Sequence, residues 1–441
     1  MRYSYKKIIE ISWPILAGLF IQQLVGLADT AFLGRVGTVE LGASALAGVF
    51  YIMIFMLALG FGTGIQIIVA RRNGEQNFHK IGGVVYQGIS FLVCAAVIII
   101  ALTIIFAPYV LNEFILSQVV YEKTLAYLNI RIYGFLFAFP IVVFRAFFIG
   151  ITQTKILTYN AILLLIINVI LNYVLIFGKF GFSPMGIEGA ALASIIAEAV
   201  AAIYLAIYMF TNIDLNKYGF CVFVFFNKNI LVEILALSIW TMLQYFVSMA
   251  TWFLFLVAIE NLGEEPLAIS NILRSVTIFP YMIITALAAA ANSVTSNLIG
   301  QGHDFEVEAT SLKVIKLSYI MTFTLIAIMI IFPYPILRIY TDSKQVIENS
   351  ILPYYSALSS FITMIPGMIL LSVVSGTGQT KTAMYIELLV LVFYCINVWY
   401  VVMYLQADLY ICWMCEHSYN ILLSLFTYWY LKRNKWCCKI V

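Results

Sequence analysis

The sequence predicts an all-α integral membrane protein of twelve transmembrane helices in two pseudo-symmetric six-helix bundles. Three observations carry that prediction. The chain of 441 residues is 63% hydrophobic and 10% charged, with a mean hydropathy of +1.01, whereas soluble domains are about one quarter charged. Apolar segments long enough to cross a bilayer recur twelve times. The second half also repeats features of the first at a constant offset of 226 residues.

Taken in order, the spans are centred on residues 10–34, 45–70, 82–107, 124–148, 156–178, 187–211, 230–260, 267–298, 311–333, 350–374, 382–405 and 408–431. Charge and turn residues sit in short connectors such as RRNGEQNFHK (71–80) and GQGHDFEVE (300–308). No connector is long enough for a separate soluble domain, so the organisation expected is a lobe over 1–220 and a lobe over 221–441 that ends in a short basic tail. Sixteen of the 24 basic residues fall on one side, five on the other, and Arg131, Arg145 and Arg274 lie within helices. The positive-inside rule then places both termini in the cytoplasm, in keeping with an even number of spans. Met1–Lys7 leads straight into a segment long enough to span, so no cleavable signal is expected.

The repeat is read from residues at both ends of each half. GITQTKILTY (150–159) and GTGQTKTAMY (376–385) share Gly, Gln, Thr, Lys and Tyr, and Pro140 matches Pro366. Gly37, Leu41 and Ser44 match Gly263, Leu267 and Ser270 at the same offset. Six spans per half is an even number, so the halves have one orientation and a pseudo-two-fold axis along the membrane normal. That is the architecture of a transporter with two lobes around a central cavity.

The first span, Ile11–Gly34, carries a carboxylate, Asp29, and a helix breaker, Pro14. An ionisable residue on a spanning helix costs about 2.5–3.5 kcal/mol on insertion scales and marks a functional position by default. Gly18, Gln22, Gly26 and Asp29 form one small or polar stripe at helical spacing, making Gln22 and Gly26 cavity candidates. The plainer alternative is a carboxylate in the headgroup region. Pro14 removes a backbone hydrogen bond and gives the helix a bending point, unless it is a static kink.

Further along, NVILNYVLIFG places Asn168 and Asn172 one turn apart on one face, where they either line a wet cavity or join helices. GIEGAALASIIAEAV puts Ser194 and Glu198 four apart on an alanine-lined face. Glu198 reads as a secondary proton site or as the partner of a buried arginine. A carboxylate with amide and hydroxyl oxygens suits a proton or a small hard cation such as sodium, and sodium at Asp29, Asn168 and Asn172 is the one metal the residues suggest. The desolvated carboxylate favours its neutral, proton-bearing form, and a bound cation favours the ionised one.

The second half is expected to lack an equivalent cluster. The offset carries Asp29 onto Phe255, Pro14 onto Trp240, Asn168 onto Tyr394 and Asn172 onto Val398. Glu387 and Glu416 remain in that half without an assigned role, and Arg274 reads as an ion-pair or phosphate contact near a helix end. Some of the 33 Phe, 28 Tyr and 7 Trp can line a cavity for hydrophobic cations, although most belong to lipid-facing surface.

Other function classes find no support. There is no H-E-x-x-H, no Walker A loop and no paired-carboxylate motif, and only three His are present. A net charge of +3 does not suggest nucleic acid. Among the seven cysteines, Cys412 and Cys415 read as packing residues inside an apolar helix, while Cys437 and Cys438 sit in the basic tail as reduced thiols or lipidation sites. No enzyme activity and no cofactor is expected.

The chain resembles the multidrug and toxic compound extrusion (MATE) transporters along essentially its whole length. The resemblance rests on WPIL…LADTAFLGRVG, LGASALAG, GITQTK, NVILNYVLIFG and GIEGAALAS in that order and spacing. It implies two six-helix bundles around a V-shaped cavity, alternating between outward- and inward-facing states. It also implies exchange of amphipathic, often cationic, compounds for protons or sodium ions. One family pattern puts the cation site in the N-terminal lobe, on the Asp of helix 1 and an Asn-x-x-x-Asp of helix 5. Asp29 and Asn168 match it, Asn172 stands at the second acidic position, and Ser194 is similar to the hydroxyl residue of helix 6. The missing charge at 172 tilts the reading toward protons. A second family pattern, with acids in helices 7 and 10, meets Ser248 and Met364 here and so looks absent.

The expectation is therefore a cation-coupled antiporter, acting as a monomer among membrane lipids in a bacterial inner membrane. Asp29 binds the coupling ion, Asn168, Asn172 and Ser194 support it, and Pro14 lets helix 1 bend. A lipid-linked oligosaccharide flippase of similar architecture and a membrane-embedded enzyme or structural protein are the rival readings.

Overall fold

A computed structural model describes residues 3–115, 117–221 and 226–433. Arg2, Lys435, Lys439, Cys437 and Cys438 lie outside the described residues. Described residues in regular structure are helical throughout. Among the described residues, eleven helical stretches are long and apolar enough to span a bilayer, beginning with α1 (Tyr5–Gly34), α2 (Thr38–Gly74) and a stretch from Phe78 to Glu113 that contains all but the last residue of α3 (Ile81–Phe114). The fourth stretch, Gln118–Gly150, joins α4 (Gln118–Arg131) to α5 (Phe135–Gly150) through a 3-10 turn at Ile132–Gly134.

Next come α6 (Lys155–Phe177), α7 (Gly186–Asn212), α8 (Lys228–Glu260), α9 (Glu264–Gly300) and α10 (Val307–Ile331). After the short α11 (Pro333–Arg338), α12 (Lys344–Ser359) and α13 (Phe361–Gly376) form another stretch, followed by α14 (Thr380–Val398) and a π-helical turn at Trp399–Tyr404. The expected twelfth span is present as α15 (Leu409–Lys432), a 24-residue helix. Glu416, His417, Asn420 and its tyrosines make it less apolar than the other eleven. The helices overrun most of the expected bounds, because charged ends such as Arg71 and Arg72 continue the helix beyond the apolar core.

The 226-residue offset recurs in the helix boundaries. It carries Thr38–Gly74 onto Glu264–Gly300, both 37 residues, and Gln118–Gly150 onto Lys344–Gly376. The 3-10 turns at Phe78–Lys80 and Asp304–Glu306 obey it as well. Pro140 in α5 and Pro366 in α13 hold corresponding positions.

Close contacts divide the chain into two compact units, Ala17–Met242 and Met1–Leu16 with Leu243–Val441. The divisions fall inside α1 and α8. Within the first of these units, small residues let helices approach each other closely. Thr241 Oγ1 donates to the Gly60 carbonyl at 2.7 Å, and Ser238 Oγ donates to that of Phe61 at 3.1 Å. Near the end of α2 and the start of α8, Arg72 grips Glu233 at 2.6 Å.

In the other unit, Ile8, Ile11, Ser12 and Ile15 at the start of α1 are buried. Lys313 Nζ donates to the Tyr3 carbonyl at 3.4 Å. Burial pushes the Tyr3 hydroxyl up to about 12, with a hydrogen bond to Gln301 opposing the shift. Cys412 and Cys415 are buried packing residues on α15.

The closest backbone approach relevant to the site joins α6 and α7. A Cβ on Gly189 would lie 2.8 Å from the Leu175 carbonyl carbon and 2.9 Å from its oxygen, whereas one on Gly42 would meet nothing within 4 Å. Backbone cannot move aside as a flexible side chain can, so Gly189→Ala is expected to cost about 1–3 kcal/mol. Thermal unfolding in detergent checks this, with Gly42→Ala as the control that leaves the midpoint unchanged.

Candidate cation site

Asp29 lies five residues before the end of α1 and is half-buried. Two residues on the facing helix α6, Asn168 and Asn172, sit one turn apart and are both fully buried. Their i, i+4 spacing puts both amides on one face, and α6 packs extensively on α7, which supplies Ser194. Here the sequence dictates the local arrangement: a regular apolar helix leaves the two asparagines no direction but inward.

The four side chains form a continuous chain of hydrogen bonds. Asn172 Nδ2 donates to Asp29 Oδ1 at 2.6 Å and to Asn168 Oδ1 at 3.0 Å. Asn168 Nδ2 in turn donates to Ser194 Oγ at 3.3 Å. The Asn172 amide thus spends its donors on the two oxygens, while its own oxygen, Oδ1, is buried without a hydrogen-bond partner. A buried acceptor left unpaired costs about 1–3 kcal/mol. Beside Asp29 it offers an oxygen to the hydroxyl of the protonated carboxyl, or to a small cation shared with the carboxylate. The donor set is oxygen-rich and hard, which fits a proton or sodium.

One turn beyond Ser194 on α7, Glu198 makes a bidentate ion pair with Arg131 of α4, at 2.5 and 2.9 Å. The guanidinium lies over the Tyr51 ring, 3.8 Å from its centre, and Tyr51 stacks on Phe135 at 4.3 Å. Glu198 therefore has an arginine partner, one of the two roles its position on α7 admits.

Other residues from the first span are placed apart from this network. Gln22 and Gly26 are exposed, and the Gly26 carbonyl accepts from Thr30 Oγ1 at 2.9 Å. Pro14 is buried within an unbroken α1. It lies two residues before the division between the two units.

One expectation needs correction. The second half does hold a buried carboxylate cluster. Glu387 of α14 is 5% exposed and accepts from Gln244 Nε2 at 2.5 Å, from Ser248 Oγ, and from the Tyr419 hydroxyl at 3.3 Å. Glu416 of α15 accepts from the Tyr394 hydroxyl at 2.6 Å. The cluster is assembled from α8, α14 and α15, so no local motif announces it. The absence of an acid at Ser248 pointed away from it, yet Ser248 is one of its donors. The signal available in the sequence was Glu387 itself, an acid within an apolar span. Arg274 lies over the Trp252 ring at 5.5 Å.

Comparisons with known proteins bear on the family and the fold. A family model described as MatE matches residues 14–174 and 237–400, one segment in each repeat. Relatives include the probable multidrug resistance protein NorM of Thermotoga maritima, 26% identical over 384 residues, or 86% of this chain and 82% of that protein. The probable multidrug resistance protein YoeA of Bacillus subtilis is 24% identical over 340 residues, 75% of this chain and 72% of its own. Among solved structures, an outward-facing multidrug resistance MATE family transporter of the MOP superfamily superposes with a TM-score of 0.89 at 19% identity, covering 99% of this chain and 97% of that one. A MOP superfamily transporter from Pyrococcus furiosus gives 0.88 at 20% identity, covering 98% and 95%. At these identities the structural likeness speaks for the fold alone.

The Asp29–Asn172 bond makes a direct prediction. In a double-mutant cycle of Asp29→Ala and Asn172→Ala, unfolding free energies should depart from additivity by about 0.5–2 kcal/mol. Strict additivity would show that the two side chains do not hold each other.

Proposed function

Because this chain belongs to the MatE family, whose model spans both of its repeats, we propose that it is a cation-coupled antiporter exporting amphipathic, cationic organic compounds by alternating access. The relatives named as multidrug resistance proteins support export of drugs as the coarser function. The observation that carries the mechanism is the Asp29–Asn172–Asn168–Ser194 chain, with its unpaired Asn172 oxygen beside the carboxylate.

In this reading Asp29 exchanges a proton, or a sodium ion, during each cycle. The neutral carboxyl gives its hydrogen to Asn172 Oδ1; the ionised carboxylate keeps the Asn172 amide as donor. Each state satisfies a different set of hydrogen bonds, so binding the ion favours one arrangement of α1 against α6. Pro14, where α1 lacks a backbone hydrogen bond, gives the helix a place to bend in response. The amide at 172 leaves the site with one formal charge, which favours protons over sodium. Charge sorting supports a cytoplasmic location for both termini in a bacterial inner membrane.

In proteoliposomes, Asp29→Asn should abolish efflux driven by an ion gradient while leaving the fold and passive dye binding intact. Retained gradient-driven efflux would sink the mechanism. Wild-type efflux should persist in sodium-free buffer and collapse when the pH gradient is dissipated. Conversely, Asn172→Asp sets a second carboxylate against Asp29, and should create a sodium-dependent rise in the unfolding midpoint that the wild type lacks. Equal sodium responses would remove the argument from charge.

A further inference from the structure

A small crevice lies between α8 and α14, within the unit that contains Leu243–Val441. Its walls are Gln244 and Val247 from α8 and Met384, Glu387, Leu388 and Leu391 from α14. Apolar side chains make up most of the lining, and the polar groups on it are one amide and one carboxylate. The empty space measures about 160 Å³, whereas pockets for whole drug-sized molecules run to about 300–1,000 Å³. Leu388 on the rim is 38% exposed, so the crevice opens at the surface of its unit.

Glu387 is held rigidly against this space. Gln244 Nε2 donates to its Oε2 at 2.5 Å, while the Ser248 and Tyr419 hydroxyls donate to its Oε1. These donors orient the carboxylate, and all three are neutral. An ionised carboxylate is costly to bury without a charged partner. A cation entering the crevice meets that charge where the dielectric is low, and the apolar walls favour a hydrocarbon body beside it. With three of its roughly four acceptor sites in use, Glu387 has more charge to offer than hydrogen-bonding capacity. A quaternary ammonium, which brings a charge and no donor, matches that better than a primary amine does.

The repeat shows that the feature belongs to one half. Helices α8 and α14 correspond to α1 and α6, the pair that joins Asp29 to Asn172. The 226-residue offset carries Gln244 onto Gly18, Ser248 onto Gln22 and Glu387 onto Ala161. Each half thus places an acid between the same two helices, near the end of α1 in the first and near the start of α14 in the second.

We propose that the α8–α14 crevice is a recognition site for the ammonium end of an amphipathic organic cation. Glu387 supplies the counter-charge, and Gln244 and Ser248 position its carboxylate. The inference rests on the export reading above and deepens it, because it gives the cationic cargo a place of its own, apart from Asp29.

The test is direct binding of benzyltrimethylammonium to the purified full-length protein, measured by titration calorimetry in detergent with no ion gradient. Glu387→Gln should weaken binding about tenfold or more. Val247→Trp, which fills the crevice and keeps the carboxylate, should weaken it as well. Glu260→Gln removes an exposed carboxylate at the end of α8 and should leave the affinity at its wild-type value. Neopentylbenzene, the same shape without the charge, should not compete. The proposal is overturned by no binding to the wild type, by wild-type affinity in either crevice variant, by an equal loss in Glu260→Gln, or by displacement with the neutral isostere. Either crevice variant decides alone if the other does not fold. Absent binding here leaves gradient-driven efflux standing, and absent efflux leaves the binding standing, so the two readings fail separately.

Discussion

In the hydrocarbon interior no water is available to satisfy a polar group, and this constraint shapes the whole molecule. Backbone groups answer it by forming helices. Side chains answer it in two ways, by pairing across helices or by binding something small. Serines and threonines along α2, α8 and α9 return their hydroxyl protons to nearby carbonyls, as Thr241 does to Gly60 and Ser296 to Gly376. Arg131 and Glu198 satisfy each other. Asp29 is different, because the side chains that close on it are neutral amides. A carboxylate hydrogen-bonded by a neutral amide is the kind of position where a proton or cation has most to contribute.

The duplicated scaffold makes that difference visible. At the positions equivalent to Asp29 and Asn168 stand Phe255 and Tyr394, whose rings lie 6.4 Å apart. Trp413 meets Phe255 edge-on at 5.6 Å. The same meeting of helices is thus filled by hydrogen bonds in one repeat and by aromatic packing in the other. Polar character in the second repeat sits instead at Glu387 and Glu416. Duplication preserved the bounds of α2 in α9 and of the Gln118–Gly150 stretch in Lys344–Gly376 to the residue, while the chemistry within each repeat diverged.

Much of this was legible in the sequence because it depends on local periodicity. Apolar run lengths disclosed the spans, the 226-residue offset disclosed the duplication, and the i, i+4 spacing of Asn168 with Asn172 and of Ser194 with Glu198 disclosed which faces look inward. Partners across helices were less accessible. Glu198 admitted two roles until α4 was seen to bring Arg131 against it. The Glu387 cluster was missed, since Gln244, Ser248 and Tyr419 reach it from helices distant in the chain. The last span showed the limit of hydropathy itself: α15 is helical along its full length although its polar side chains dilute the average.

The division of α1 between the two compact units bears on the order in which the protein is made. Residues up to Leu16 belong with Leu243–Val441, whereas those from Ala17 onward belong to the unit that ends at Met242. The first three turns of the chain therefore emerge earliest and find their partners last. Ile8, Ile11 and Ile15 must wait, unpacked, until α10 and its neighbours have been synthesised and Lys313 can reach the Tyr3 carbonyl. Assembly is thereby tied to completion of the chain: a product stalled after α7 would hold the cation-site residues yet leave its own N-terminal turns without their partners. The start of α1 is thus the part of that helix that gains its packing partners last.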